Sequence, residues 1–276
     1  MSADIRSIAV HVDRTDASAN RTKLAADLAD RFGAQLTGAT AGVPYLPSYA
    51  PFGETFIALQ PEIVDVAHKQ LTTALDEAET TFRAASTVSA PNWRRSKTCD
   101  AATFLAFIAR SADLLVVGRP VDKDPDGVLG LNPSDLVMTA GRPVLIAAPE
   151  AARLSAARIV VGWKDTRESR LAVADAMPFL TRAEEVFIVA AGVDDDGKGA
   201  AEVAAWLGTH GVTAKSVVED ATDRHAAETL LAAAKRVNAD LIVAGAFGHS
   251  RAREWIFGGV TRSLLGDASV SVLLSH

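Results

Sequence analysis

The sequence predicts an α/β protein made of two tandem domains. Each is a doubly wound parallel sheet of strand order 3-2-1-4-5, and the two join as an intramolecular pseudo-dimer. Three observations lead there. Short apolar runs alternate with segments of helical period, as expected for parallel strands covered by helices on both faces. The alternation runs through once and restarts near residue 158. One run in each half has the same form, Asp113-Leu-Leu-Val-Val-Gly118 and Asp240-Leu-Ile-Val-Ala-Gly245. With right-handed crossovers, few other strand orders accommodate this pattern.

Residues 8–12 alternate towards Asp13 and read as the first strand. Leu24, Leu28 and Phe32 stand four apart, the stripe of a helix that Gly33 ends. Residues 35–42 form a second strand. Residues 44–60 are irregular, with Pro44, Pro47, Pro51 and Gly53 set among Tyr45, Tyr49, Phe52 and Phe56. Those aromatic side chains suit either an apolar ligand or partner surface or a local plug over the sheet's end. A helix over residues 61–85, a strand over 93–98, a helix over 101–110 and the buried strand ending at Gly118 follow. A short helix from Pro133 and a strand over 143–147 complete the first half.

The second half opens with a strand over residues 158–163 and a helix capped near Asp165 or Thr166, carrying Leu171, Ala174, Met177 and Leu180. A strand over 185–191 precedes a helix closed by Gly211. A strand over 212–218 precedes a helix capped by Asp223 and ended by Asn238. Ile8 matches Ile159, 151 residues on, while Asp113 matches Asp240, only 127 on. The aromatic loop and the longer helix after it account for the excess length of the first copy. The 28 Lys+Arg and 34 Asp+Glu residues divide equally between 1–149 and 150–276, the two expected domains.

Composition narrows the functional classes. A net charge of −6 argues against a nucleic-acid binder and against an anionic-membrane binder. No apolar run approaches the ~20 residues of a membrane helix. Asp4 and Arg6 stand where the apolar core of a leader would lie, and the single cysteine, Cys99, has no partner for an internal disulfide. The expected location is cytoplasmic.

The strongest functional signal is Gly245-Ala-Phe-Gly248-His-Ser-Arg251-Ala-Arg253-Glu-Trp-Ile-Phe-Gly258-Gly259-Val260-Thr261. A buried strand stopped by glycine leads into a glycine-bordered loop and then into a helix start at Val260. Backbone amides in such a loop approach an anion closely, and the free amides of a first helical turn point at it. Arg251 adds positive charge. In a doubly wound sheet the first and fourth strands are neighbours, so this loop meets Trp163, Lys164 and Asp165 in one crevice.

The Gly-x2-Gly-x9-Gly spacing in this setting, with the ending Ser269-Val-Ser-Val-Leu-Leu274, resembles the universal stress protein family over both halves. The resemblance implies Rossmann-like domains and ATP or a related adenine nucleotide, with or without magnesium, bound in the second half. Gly245, Gly248 and Gly258 fall on the motif glycines, and Gly259, Val260 and Thr261 on the helix start. Two positions depart from the family pattern. Gly259 stands where a serine or threonine is usual. Where the family often has an acidic residue near the adenine, Asp13 fits in the first copy, but the second has Lys164 followed by Asp165.

The first copy lacks the loop. Val121 stands in place of Gly248, Pro133 offers no amide, and Asp122, Asp124 and Asp126 would repel phosphate. Gly192-Val-Asp-Asp-Asp-Gly-Lys198 mimics a phosphate loop but ends in Gly199 and is crowded with carboxylates, so it reads as a solvated turn. His249 and Ser250 beside the glycine loop have no identifiable acid–base partner. No catalytic or metal-binding residue is assigned. The reading is a regulatory nucleotide-binding stress protein. An adenine-nucleotide hydrolase-like enzyme and an interaction scaffold with a vestigial site stay open as alternatives.

The fifth strand of each half would be an apolar edge, an aggregation hazard unless paired. Antiparallel pairing of residues 143–147 with 271–274 resolves it, leaving other surfaces for any homodimer.

Overall fold

The structure is a computed structural model of the 276-residue chain and describes residues 4–45, 61–119, 128–191, 198–219, 226–246 and 270–276. The aromatic stretch 46–60, the aspartates of 122–126, the turn 192–197, Asp223 and residues 247–269, which hold the glycine loop and the helix expected after it, lie outside the described residues.

In the first half β1 (Ser7–His11), α1 (Ala17–Phe32), β2 (Gln35–Ala41), α2 (Pro61–Ala85), β3 (Asn92–Ser96), α3 (Ala101–Ile108), β4 (Leu114–Val117), α4 (Pro133–Ala140) and β5 (Val144–Ile146) follow one another. The second half contributes β6 (Arg158–Trp163), α5 (Arg167–Leu180), β7 (Glu185–Ala191), α6 (Lys198–Thr209), β8 (Ala214–Glu219), α7 (Ala226–Val237), β9 (Leu241–Gly245) and β10 (Ser271–Ser275).

Local chemistry sets the ends of several helices. Gly33, Gly141 and Gly211 take the left-handed backbone that stops a helix, and Asn238 does so at φ 53° after α7. Asp100 accepts a hydrogen bond from Thr103 N at 2.9 Å at the start of α3, and Asn132 accepts one from Ser134 N at 3.1 Å before α4. Thr166, one of the two expected caps of α5, accepts from Ser169 N at 3.3 Å. Pro133 occupies the first turn of α4, where a missing amide costs nothing.

The strands form one ten-stranded sheet, β3-β2-β1-β4-β5-β10-β9-β6-β7-β8. Every pairing inside a half is parallel, and the seam between β5 and β10 is antiparallel. The 3-2-1-4-5 order therefore occurs twice, joined through the predicted edges. The repeat extends to the register: Ile8 lies opposite Leu114 in β1–β4, and Ile159 opposite Leu241 in β6–β9. The aspartates before β4 and β9 act alike as well. Asp113 Oδ2 accepts from Arg6 N and Ser7 N at 2.9 and 3.0 Å, and Asp240 Oδ2 accepts from Ala156 N at 2.9 Å.

Strand alternation sorts the core into two layers. Ile8, Val10, Leu114, Val116, Ile159, Val161, Leu241 and Leu273 pack under α1, α2, α5 and α6. Ala9, Leu115, Val117, Val160, Ile242, Val272 and Leu274 pack under α3, α4 and α7. On the first face α1 meets α5 across the seam. Phe32 and Phe179 stack edge to face at 5.3 Å, and Arg182 lies over the Phe32 ring at 4.9 Å. Among the described residues no helix is long and apolar enough to cross a membrane.

Candidate functional site

Each half reverses its winding direction between its first and fourth strands, which opens a crevice at their carboxyl ends. In the first half the crevice lies beyond His11 of β1 and Val117 of β4, and in the second beyond Trp163 of β6 and Gly245 of β9.

A buried charged cluster occupies the first crevice. Arg21, on α1, is almost fully buried. Its Nε donates to His11 O at 2.7 Å, and its Nη2 pairs with Asp13 Oδ2 at 2.9 Å. Thr15 donates to Asp13 Oδ1 through both N, at 3.0 Å, and Oγ1, at 2.5 Å. Ser18 Oγ accepts from Asp13 N at 3.1 Å and from Arg21 Nη2 at 3.3 Å. Gly118 follows β4, and a side chain there would run into Arg21 Nη1. The guanidinium thus fills the place beside the glycine.

Titration follows from this packing. Burial alone would raise the Asp13 carboxyl, but Arg21, then His11 and the Thr15 hydrogen bonds, outweigh it and hold the group at about 2. His11 is completely buried, and that desolvation chiefly pushes it down to about 4. Asp13 opposes the shift and Arg21 reinforces it, with the His11 ring 3.7 Å from Asp13. At neutral pH His11 is therefore uncharged. Asp13, the acidic residue of the first copy, is committed to Arg21 and is not presented to a ligand.

The second crevice carries different side chains at the matched positions. With the 151-residue offset, His11, Asp13 and Arg21 correspond to Gly162, Lys164 and Ala172. The imidazole, the carboxylate and the large cation at these three positions become no side chain, a half-buried lysine and a methyl group. Gly162 is closely approached by Leu230 of α7, 2.7 Å from where a Cβ would stand. Gly245 is backed by the first turn of α5, with Glu168 C and Ser169 N at 2.5 and 2.6 Å from a hypothetical Cβ. A side chain at Gly245 would thus meet backbone, so glycine is required for the sheet and helix to touch here.

Of the ten site residues read from sequence, Gly245, Trp163, Lys164 and Asp165 are described. Gly248, Arg251, Gly258, Gly259, Val260 and Thr261 lie outside the described residues. Gly245 and Trp163 end adjacent strands, and Trp163 packs half-buried against the core. Asp165 is exposed and ion-paired with Arg170. Sequence reading missed the His11–Asp13–Arg21 cluster, yet a signal existed. Arg21 precedes Leu24 by three on the apolar stripe of α1, where a charge has to be buried. Glu168 was missed too. Its side chain is only 14% exposed, and it lies against Gly245 at the start of α5.

Known proteins agree with this architecture. Residues 209–276 match the family model for the Universal stress protein family. That stretch contains β9, the glycine pattern and β10. A universal stress protein from Archaeoglobus fulgidus DSM 4304 has a similar fold, with TM-score 0.67 and 15% identity, covering 98% of this chain and 95% of that one. A functionally unknown protein from Pseudomonas aeruginosa PAO1 is similar with TM-score 0.56 and 15% identity, over 98% and 92%. No curated protein matches the sequence. Residues 209–276 are thus similar to the universal stress protein family, within a whole-chain α/β fold that a solved universal stress protein shares.

Proposed function

We propose that the chain consists of two domains, 1–149 and 150–276, and that the second binds ATP or a related adenine nucleotide in the crevice beyond β6 and β9. The protein is then regulatory and not catalytic, a stress protein of the cytoplasm. The carrying observation is the placement of Gly245. It ends β9 beside β6 at the winding reversal and leads straight into the Gly248–Gly258 spacing, inside the stretch that matches the family. Glycines at a strand-to-helix junction suit a phosphate chain because amides can face it without side chains between.

Contrast between the halves supports one site per chain. In the first crevice Arg21 and Asp13 already satisfy one another beside Gly118, and α4 begins with Pro133, which has no amide to offer. Calorimetric titration of the purified full chain with ATP, with and without magnesium, tests the proposal. One nucleotide per chain is the expected stoichiometry. Two per chain, or no binding of any adenine nucleotide, contradicts it.

A further inference from the structure

The geometry points to the free edge of β3 as a docking site for an extended acidic segment of a partner protein, its carboxylates meeting Arg94 and Arg110 around Phe107. β3 ends the ten-stranded sheet and pairs only with β2. Ser96 O accepts from Gly42 N at 3.3 Å, so Ser96 turns its backbone groups towards β2. By the alternation of a parallel ladder Arg94 does the same, and the N–H and C=O of Trp93 and Arg95 point out of the sheet. Among the described residues no hydrogen bond reaches those outward groups.

The two faces of this strand carry different chemistry. On one face Trp93 stacks on Phe82 of α2 at 5.3 Å, and Arg95 is ion-paired with Asp76 of α2. On the other face the Arg94 guanidinium carbon lies 5.6 Å from the centre of the Phe107 ring of α3, and that of Arg110 lies 3.4 Å from it. Arg110 Nε donates to Phe107 O at 2.9 Å. Phe107 runs parallel to Phe104 at 6.5 Å, and Phe104 packs against the core. Phe107 itself is 48% exposed. Among the described residues neither Arg94 nor Arg110 has a carboxylate partner, in contrast to Arg95. Two like charges thus share one exposed ring, in a chain whose net charge is −6.

Chemistry selects the occupant. Unpaired backbone at a sheet edge is completed by another extended chain, and nucleic acid has no such backbone to offer. A guanidinium stacked on an aromatic ring still presents its planar fork of donors, which matches a carboxylate. A second copy pairing antiparallel through the same strand would set arginine against arginine, since β3 holds two cations and no anion. The occupant is therefore a foreign strand with acidic side chains on the face it shares with α3.

Fluorescence anisotropy tests this with a labelled dodecapeptide of alternating glutamate and threonine, added to the full chain at low salt. One comparison peptide has glutamine in place of glutamate, and another has proline in place of threonine. The wild type should bind the first peptide about 10-fold more tightly than either comparison, because one lacks charge and the other cannot pair as a strand. Arg94→Gln combined with Arg110→Gln should remove the preference for glutamate. Arg95→Gln, on the opposite face, should keep it. On binding, hydrogen exchange should slow at Trp93 N and Arg95 N but not at Arg94 N, which already faces β2. Unchanged thermal midpoints would show that the variants fold. Absence of binding overturns the proposal, as does equal binding of either comparison peptide or unchanged exchange at Trp93 and Arg95. A preference that survives in the double variant, or is lost equally in Arg95→Gln, overturns it too. So does binding of oligothymidylate that depends on the same arginines, or a dimer in sedimentation that Arg94→Gln abolishes.

Discussion

Leu145 of β5 and Leu273 of β10 lie directly opposite one another across the antiparallel seam, and neither exposes any surface. Every other pairing in the sheet is parallel, so this contact marks where one half ends and the other begins. Each strand is apolar because it is covered on both faces and on both edges. Replacing both leucines with aspartate places two like charges opposite each other in a fully buried seam. We expect a loss of more than about 4 kcal/mol, with both halves unfolding together. Denaturant titration followed by signals from each half checks this. Two independent, unshifted transitions would show that the seam does not couple the halves.

Arg21→Ala should destabilise the protein by about 3–5 kcal/mol, because it leaves the Asp13 carboxylate buried without its guanidinium. Replacing Asp13 and Arg21 together by Asn and Met should recover part of the loss. Urea unfolding of Asp13→Asn, Arg21→Met and the double variant measures the coupling, and purely additive losses would mean that the pair is not one unit.

Acid should weaken the first half in two steps. The folded-state pKa of His11, about 4, lies below the ordinary 6.5, so the unfolded chain binds the proton first. The neutral ring's contribution is fully present above pH 6.5 and is lost as pH falls to about 4. The shift corresponds to roughly 3 kcal/mol. Asp13 moves from 3.8 to about 2, so its smaller contribution is present above pH 3.8 and lost as pH falls to about 2. Unfolding midpoints measured from pH 7 to pH 4 should drop for the wild type and much less for His11→Asn. Equal slopes would exclude His11 as the source.

Gly245→Ala should cost about 1–3 kcal/mol, since the new methyl meets Glu168 C and Ser169 N, backbone atoms that cannot swing aside. Thermal unfolding reads the cost. A neutral substitution would mean that α5 and β9 separate more easily than their packing implies.

Gly248→Asp should change the unfolding free energy by no more than about 0.5 kcal/mol and abolish nucleotide binding. Its carboxylate would add negative charge along the path proposed for the phosphates. Calorimetry with ATP reads the effect. Normal binding by this variant would show that the phosphates do not pass Gly248.

The core was legible wherever one face or one run controls burial. Leu24, Leu28 and Phe32 mark α1 because a four-residue spacing keeps them on one side. The continuous run from Leu114 to Val117 marks β4 because both faces of a parallel strand are covered. Ends were less legible. The strand expected over 93–98 spans Asn92–Ser96, and the one expected over 212–218 spans Ala214–Glu219. Both lie at the outer edges of the sheet, where each strand pairs on one side only.

The site divides along the same line. Glycine spacing is a local property of the chain, so Gly245 could be found from its neighbours in sequence. Arg21 reaches Asp13 and the backbone of His11 from the next element, and Glu168 reaches Gly245 across 77 residues. No period or motif records contacts of that kind.

By itself the sequence determined the tandem, the alternation of strand and helix, the parallel order within each half and the position of the glycine pattern, because each follows from hydrophobic period and backbone chemistry over short stretches. Only the tertiary structure decided that Arg21 closes the first crevice while Glu168 lies against Gly245 in the second. Those outcomes depend on which side chains two distant segments bring into one low-dielectric space, where a charge must find a partner or change its protonation.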